Sequence, residues 1–94
     1  MTLDDWLDGR RPPVPDGFRS WVAEALSSAP EGYDDLQAEG AAALHRALSS
    51  VDRPRDGAFD LLVADALVTW ASEAAVDLPD GEARLEDLVR SLAG

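Results

Sequence analysis

The chain of 94 residues has no cysteine, and reading along it finds no lysine, isoleucine or asparagine either. Without cysteine there are no disulfides, no thiolate metal sites and no cysteine nucleophile. Lysine, isoleucine and asparagine are the residues with A/T-rich codons, so their joint loss is the mark of a GC-rich genome. The same bias accounts for a cation set made only of arginine, and a salt-loving host would favour the same surface. Positive charge is scarce: 8 basic residues stand against 19 acidic ones, for a net charge of −11. A field of that sign repels phosphate backbones and anionic membranes and attracts basic proteins and cations. No apolar run approaches the roughly 20 residues that span a bilayer. The chain begins Met1-Thr2-Leu3-Asp4-Asp5, acidic where a secretory leader would be basic and then apolar, so the expected location is cytoplasmic.

What is present describes a folded protein. Apolar residues make up 46% of the chain, enough for a packed interior despite the charge. The acidity is spread out, at −2 over residues 1–30, −4 over 31–52 and −5 over 53–94, so the folded domain itself is the anion. The expectation is one domain over 1–94, all-α, a compact four- to five-helix bundle with a central long helix over about 56–76.

The periodicity is helical throughout. Thr2 caps a short helix over 3–7, and a proline-rich connector follows over 8–16, where Pro12, Pro13 and Pro15 forbid helix. A second helix over 16–29 carries the one-sided stripe Phe18, Trp21, Val22, Ala25 and Leu26. A third, over 34–50, opens with a capping-box pair, Asp34 and Gln37. Its inner face reads Leu36, Gly40, Ala43, Leu44, Ala47, Leu48 and Val51. Gly40 and the three alanines after it imply either a closely packed neighbour or a locally weak helix. In the long helix, Phe59, Leu62, Val63, Ala66, Leu67, Trp70 and Ala74 share a face. Ala64, Ala71, Ala75, Val68 and Leu61 widen it past half the circumference, leaving Asp65, Thr69 and Ser72 as the polar sector. The last helix, over 81–92, is capped by Asp80 and buries Leu85, Leu88, Val89 and Leu92.

Few residues carry candidate chemistry. Asp4-Asp5-x-x-Asp8 has a spacing that resembles the magnesium-diphosphate motif of polyprenyl synthases. Those enzymes also need a large helical barrel and a second acidic motif, and the simpler reading is an acidic first turn. Glu73 falls beside Trp70 and Ala66 on the helical wheel, where a poorly solvated carboxylate would become an acid, a base or a ligand. The alternative is that it reaches water or an arginine, Arg84 or Arg90. Ala42 and Ala41 stand three and four residues before His45, where an acid would be needed, so the Glu-x-x-His pattern of di-iron bundles is missing and a surface or boundary histidine is expected. Asp77, Asp80 and Glu82 do not have calcium-loop spacing. Trp6, on a one-turn helix, is either a cap over the bundle or an exposed anchor for another chain. The pairs Arg10-Arg11 and Arg53-x-Arg55 are poor nucleic-acid sites in so negative a field and are expected to answer local acids.

The function expected from these features is non-enzymatic: an acidic helical protein–protein interaction module, an adaptor or regulator, binding a basic partner protein. The alternative is a homo-oligomeric structural bundle, a homo-dimer completed across the long helix. A small ligand- or metal-binding protein using Glu73 and His45 ranks below both. No cofactor, no metal, no nucleic acid and no membrane is expected as a partner, and Trp6, Glu73, Trp70 and His45 are the candidate interaction or perturbed positions.

Overall fold

A computed structural model describes residues 1–50, 52 and 54–93, with the backbone alone at Pro54. Val51, assigned above to the third helix, and Arg53, assigned to a basic pair, lie outside the described residues. The regular structure among the described residues is all-α: α1 Leu3–Asp8, α2 Asp16–Leu26, α3 Tyr33–Leu48, α4 Pro54–Val76 and α5 Gly81–Ala93. The chain divides into two compact units, Met1–Pro30 and Glu31–Gly94.

In the first unit, Thr2 caps α1 as expected, its hydroxyl oxygen accepting the Asp5 N–H at 3.1 Å. Arg19 of α2 ties back to α1, pairing with Asp8 at 2.8 Å and Asp4 at 3.3 Å. Trp6, Leu7, Val22 and Leu26 are buried. Phe18 and Trp21 are only half-buried and meet edge to face, ring centres 5.8 Å apart. The connector contains a cis Arg11–Pro12 peptide bond. The expected end of α2 at residue 29 overshoots: Ser27 turns to φ 61° and closes the helix at Leu26. Two successive serines favour backbone alternatives to helix, and Pro30 drives the residue before it out of the helical region.

In the second unit, α3 begins at Tyr33 with Gly32 at the cap position, so the expected Asp34–Gln37 capping box is not made. Asp34 lies inside the first turn, and Asp35 reaches back instead, its Oδ2 accepting the Glu31 N–H at 2.8 Å. The helix stops at Leu48, where the Ser49 and Ser50 hydroxyls donate to the carbonyls of His45 and Arg46. α4 starts at Pro54, two residues earlier than expected, because proline's fixed φ and missing N–H suit a first turn. α3, α4 and α5 all touch one another, α3 against α4 most extensively, so the long helix is central to this unit.

Gly40 shows why. A Cβ there would stand 3.3 Å from Cγ2 of Val68 and 3.5 Å from Cβ of Leu67. Of the two readings of the glycine–alanine stretch, the closely packed neighbour holds. Close approach also turns the buried face of α4. Val63, Ala64, Leu67, Trp70, Ala71 and Ala75 are buried, while Leu61 and Leu62 are 53% and 52% exposed. The expected face was centred on the larger side chains and lies most of one residue's step round the helix from the real one. At the stretch of α3 that buries Gly40, Ala41 and Ala43, small residues on α4 are the ones that fit. Two further positions expected inside, Leu48 and Val89, are 68% and 65% exposed. Each lies at the margin of its stripe in the last turns of its helix.

Candidate interaction surface

Every one of the 19 acidic side chains is exposed or half-buried, with Glu39, Asp60 and Asp87 the half-buried ones. The described arginines are engaged within the fold. Besides Arg19, Arg46 pairs with Asp60 at 3.6 Å, Arg84 with Asp80 and Asp34 at 3.0 and 3.2 Å, and Arg90 with Asp87 and Glu86 at 3.1 and 3.5 Å. Arg55 stands over the Phe59 ring. Contrary to the expectation that they answer local acids, Arg10 and Arg11 form no ion pair among the described residues and bind backbone carbonyls instead. The Arg10 guanidinium lies 4.1 Å from the centre of the Trp6 ring and donates to the Trp6 carbonyl. That of Arg11 donates to the carbonyls of Asp8 and Arg10. In a one-turn helix the last carbonyls have no helical partners, and a nearby guanidinium supplies their hydrogen bonds.

The positions singled out in the sequence are not brought to one place. Trp6 is buried at 9% exposure in the first unit, under Arg10. Trp70 is buried at 9% in α4. Glu73 is exposed, so of its two readings the one in which the carboxylate reaches water holds, and no dry site forms against Trp70. The rotated face of α4 carries it outward, and Arg84 and Arg90 are held by other acids. His45 is exposed in the last turn of α3, close to the negative end of the helix dipole. Among the described residues no group of three or more histidine or acidic side chains is placed to hold a metal ion, and no helix is long and apolar enough to cross a membrane. Asp4 and Asp8 of the Asp-Asp-x-x-Asp spacing are both held by Arg19.

The outward face of α4 is continuous. Leu62, Asp65, Thr69, Glu73 and Val76, at i, i+3, i+7, i+11 and i+14, are all exposed and lie opposite the buried face. Asp65 and Glu73 take no ion pair among the described residues, and Val76 is 74% exposed.

A second feature, Tyr33 with Arg84, escaped the sequence reading. Tyr33 is buried at the start of α3, and its hydroxyl donates to the carbonyl of Arg84 in α5. The Arg84 guanidinium stands 5.9 Å from the centre of the Tyr33 ring while bridging Asp34 and Asp80. Beside them opens a shallow cleft of about 340 Å³ lined by Glu31, Gly32, Tyr33, Asp34, Asp35, Leu78 and Arg84. The available signal was the lone tyrosine directly after the Pro30-Glu31-Gly32 break, a place where a buried ring can staple a helix start.

A hydrogen bond to Asp80, with the nearby charges of Asp80 and Asp34, holds the Arg84 guanidinium above its ordinary range. Arg19 is raised likewise, first by its hydrogen bond to Asp8. Burial foremost, then the charge of Asp87, raises the Tyr33 phenol above its ordinary value of 10.0; Arg84 opposes this and Asp34 adds to it. The folded state therefore keeps the phenol proton longer than the unfolded state does. That contribution to stability is whole below pH 10 and is lost as the pH climbs from there through the folded-state value. With one tyrosine, no cysteine and no lysine in the chain, no other side chain titrates in that window. Tyr33→Phe is expected to cost about 1 kcal/mol at neutral pH in urea unfolding and to flatten the decline above pH 10. An unchanged decline in the variant would show that Tyr33 does not control it.

No family model, curated protein or solved structure matches the chain.

Proposed function

We propose that this protein is a non-enzymatic acidic interaction module that binds a basic partner protein, as an adaptor or regulator. The observation that carries the reading is the asymmetry of its charges. Every described arginine has a partner inside the fold, whereas acids such as Asp65, Glu73 and Asp77 are exposed and unpaired among the described residues. A surface of that kind has negative charge free for another molecule and, at the described arginines, positive charge already engaged, which speaks for a basic protein and against nucleic acid or an anionic membrane.

The test is retention of cellular proteins on the immobilised chain at 50 mM and 500 mM salt. The expected catch is a protein of high isoelectric point that is released at the higher salt, with a dissociation constant at least about tenfold weaker there. Retention of acidic proteins only, or binding indifferent to salt, would sink the reading. The exposed Leu61 and Leu62 favour a second reading, a homo-oligomer closed through α4. Light scattering at micromolar concentration decides it, since a monomer of 10.0 kDa removes the idea.

A further inference from the structure

We propose that the outward face of α4 is the docking surface, and that its occupant is a basic amphipathic helix of the partner, with apolar residues at its two ends and cations between them. This deepens the reading above and rests on it. The stripe runs from Leu62 to Val76, about 21 Å at 1.5 Å per residue. Its ends are apolar, Leu62 with Leu61 beside it at one and Val76 at the other, all more than half exposed. Asp65 and Glu73 stand between, exposed and without an ion pair among the described residues. Thr69 sits at the midpoint, its hydroxyl turned back to the Asp65 carbonyl at 2.8 Å. It therefore presents little to a partner but its methyl group.

The order of residues chooses between a basic helix and a second copy. The stripe is symmetrical about Thr69: Leu62 and Val76 are equidistant from it, and so are Asp65 and Glu73. Two copies packed antiparallel across a twofold axis would match leucine to valine at both ends. They would also set Asp65 of each against Glu73 of the other, two like-charge contacts inside an assembly of twice the net charge. A helix with the same pattern and lysine or arginine in place of the two acids keeps the apolar contacts and makes the charge contacts attractive. Such a helix presents apolar side chains at i and i+14, cations at i+3 and i+11, and a small residue at i+7.

The experiment uses the full chain, labelled with ¹⁵N, and two synthetic helical peptides of identical composition. One carries leucine, lysine, alanine, lysine and leucine at i, i+3, i+7, i+11 and i+14. The other has its two lysines moved to the opposite face. The matched peptide is expected to bind at least tenfold more tightly at 50 mM salt, with amide shifts centred on Leu62, Asp65, Thr69, Glu73 and Val76. The double variant Asp65→Asn, Glu73→Gln is expected to lose at least tenfold of that affinity. Both positions are exposed, and an unchanged circular dichroism spectrum confirms that the variant is folded. Equal, salt-sensitive binding of both peptides, or shifts centred elsewhere, overturns the α4 surface and leaves the acidic-module reading intact. Binding of neither peptide at low salt overturns both.

Discussion

Leu67→Ala is expected to lower the unfolding free energy by about 3 kcal/mol, because truncating a buried leucine forfeits its transfer energy and leaves a cavity. Leu67 is fully buried in α4, and its Cβ is one of the nearest atoms to Gly40. The helices there approach too closely for another side chain to fill the gap. A loss of that size is a large fraction of the stability of so small a protein. Leu62→Ala is the internal control, the same chemistry five residues away but on a side chain 52% exposed. It is expected to change stability by no more than about 0.5 kcal/mol. Urea midpoints for the two variants report directly which way α4 is turned. Equal losses would mean that its buried face lies elsewhere on the helix.

Gly81→Ala is expected to cost about 3 kcal/mol, contrary to the usual benefit of alanine in a helix. Gly81 is the first residue of α5, and its N–H donates to the Leu78 carbonyl at 3.1 Å to close the turn from α4. A Cβ at this position would fall on the carbonyl oxygen of Ala75, well inside van der Waals contact. Backbone cannot step aside as a flexible side chain can, so the turn has to open and carry α5 with it. Gly17→Ala in α2 makes the contrast. Nothing lies within 4 Å of its would-be Cβ, and the substitution is expected to be neutral or to stabilise by up to about 1 kcal/mol. Thermal unfolding of the two variants distinguishes a steric role for Gly81 from mere helix propensity, since two similar midpoints would leave no steric role.

Much of the fold can be read from the residues. Pro12, Pro13, Pro15, Pro30 and Pro79 with the neighbouring glycines punctuate the chain, the apolar spacing between them is helical, and Thr2 announces the first cap. Gly40 with its alanines carries the close α3–α4 approach as one of two readings. What could not be read is which way each helix is turned when large and small apolar residues compete for the interior. Hydropathy ranks Leu61 and Leu62 above Ala64, Ala71 and Ala75, but a narrow gap between helices admits alanine and rejects leucine. The same rotation puts Glu73 on the exposed side of α4, deciding between the two environments that the helical wheel leaves open for it. Ser27, Ser28 and Pro30 mark the end of α2 only to within a few residues, because the positive φ that closes it falls on Ser27, and a serine does not announce that conformation as a glycine would. The link from Tyr33 to Arg84 joins residues 51 positions apart, and no local pattern encodes a contact of that range.

The bridge from α3 to α5 also makes the protein its own optical gauge. Tryptophan absorbance does not change with pH, and the single phenol is the one buried under Arg84, so any rise in ultraviolet absorbance near 295 nm in alkali comes from Tyr33 alone. After a rapid jump to high pH, the rate of that rise measures how often α5 lifts away from the start of α3 to let hydroxide in. The three-helix unit thus carries a clock for its own breathing that needs neither label nor mutation.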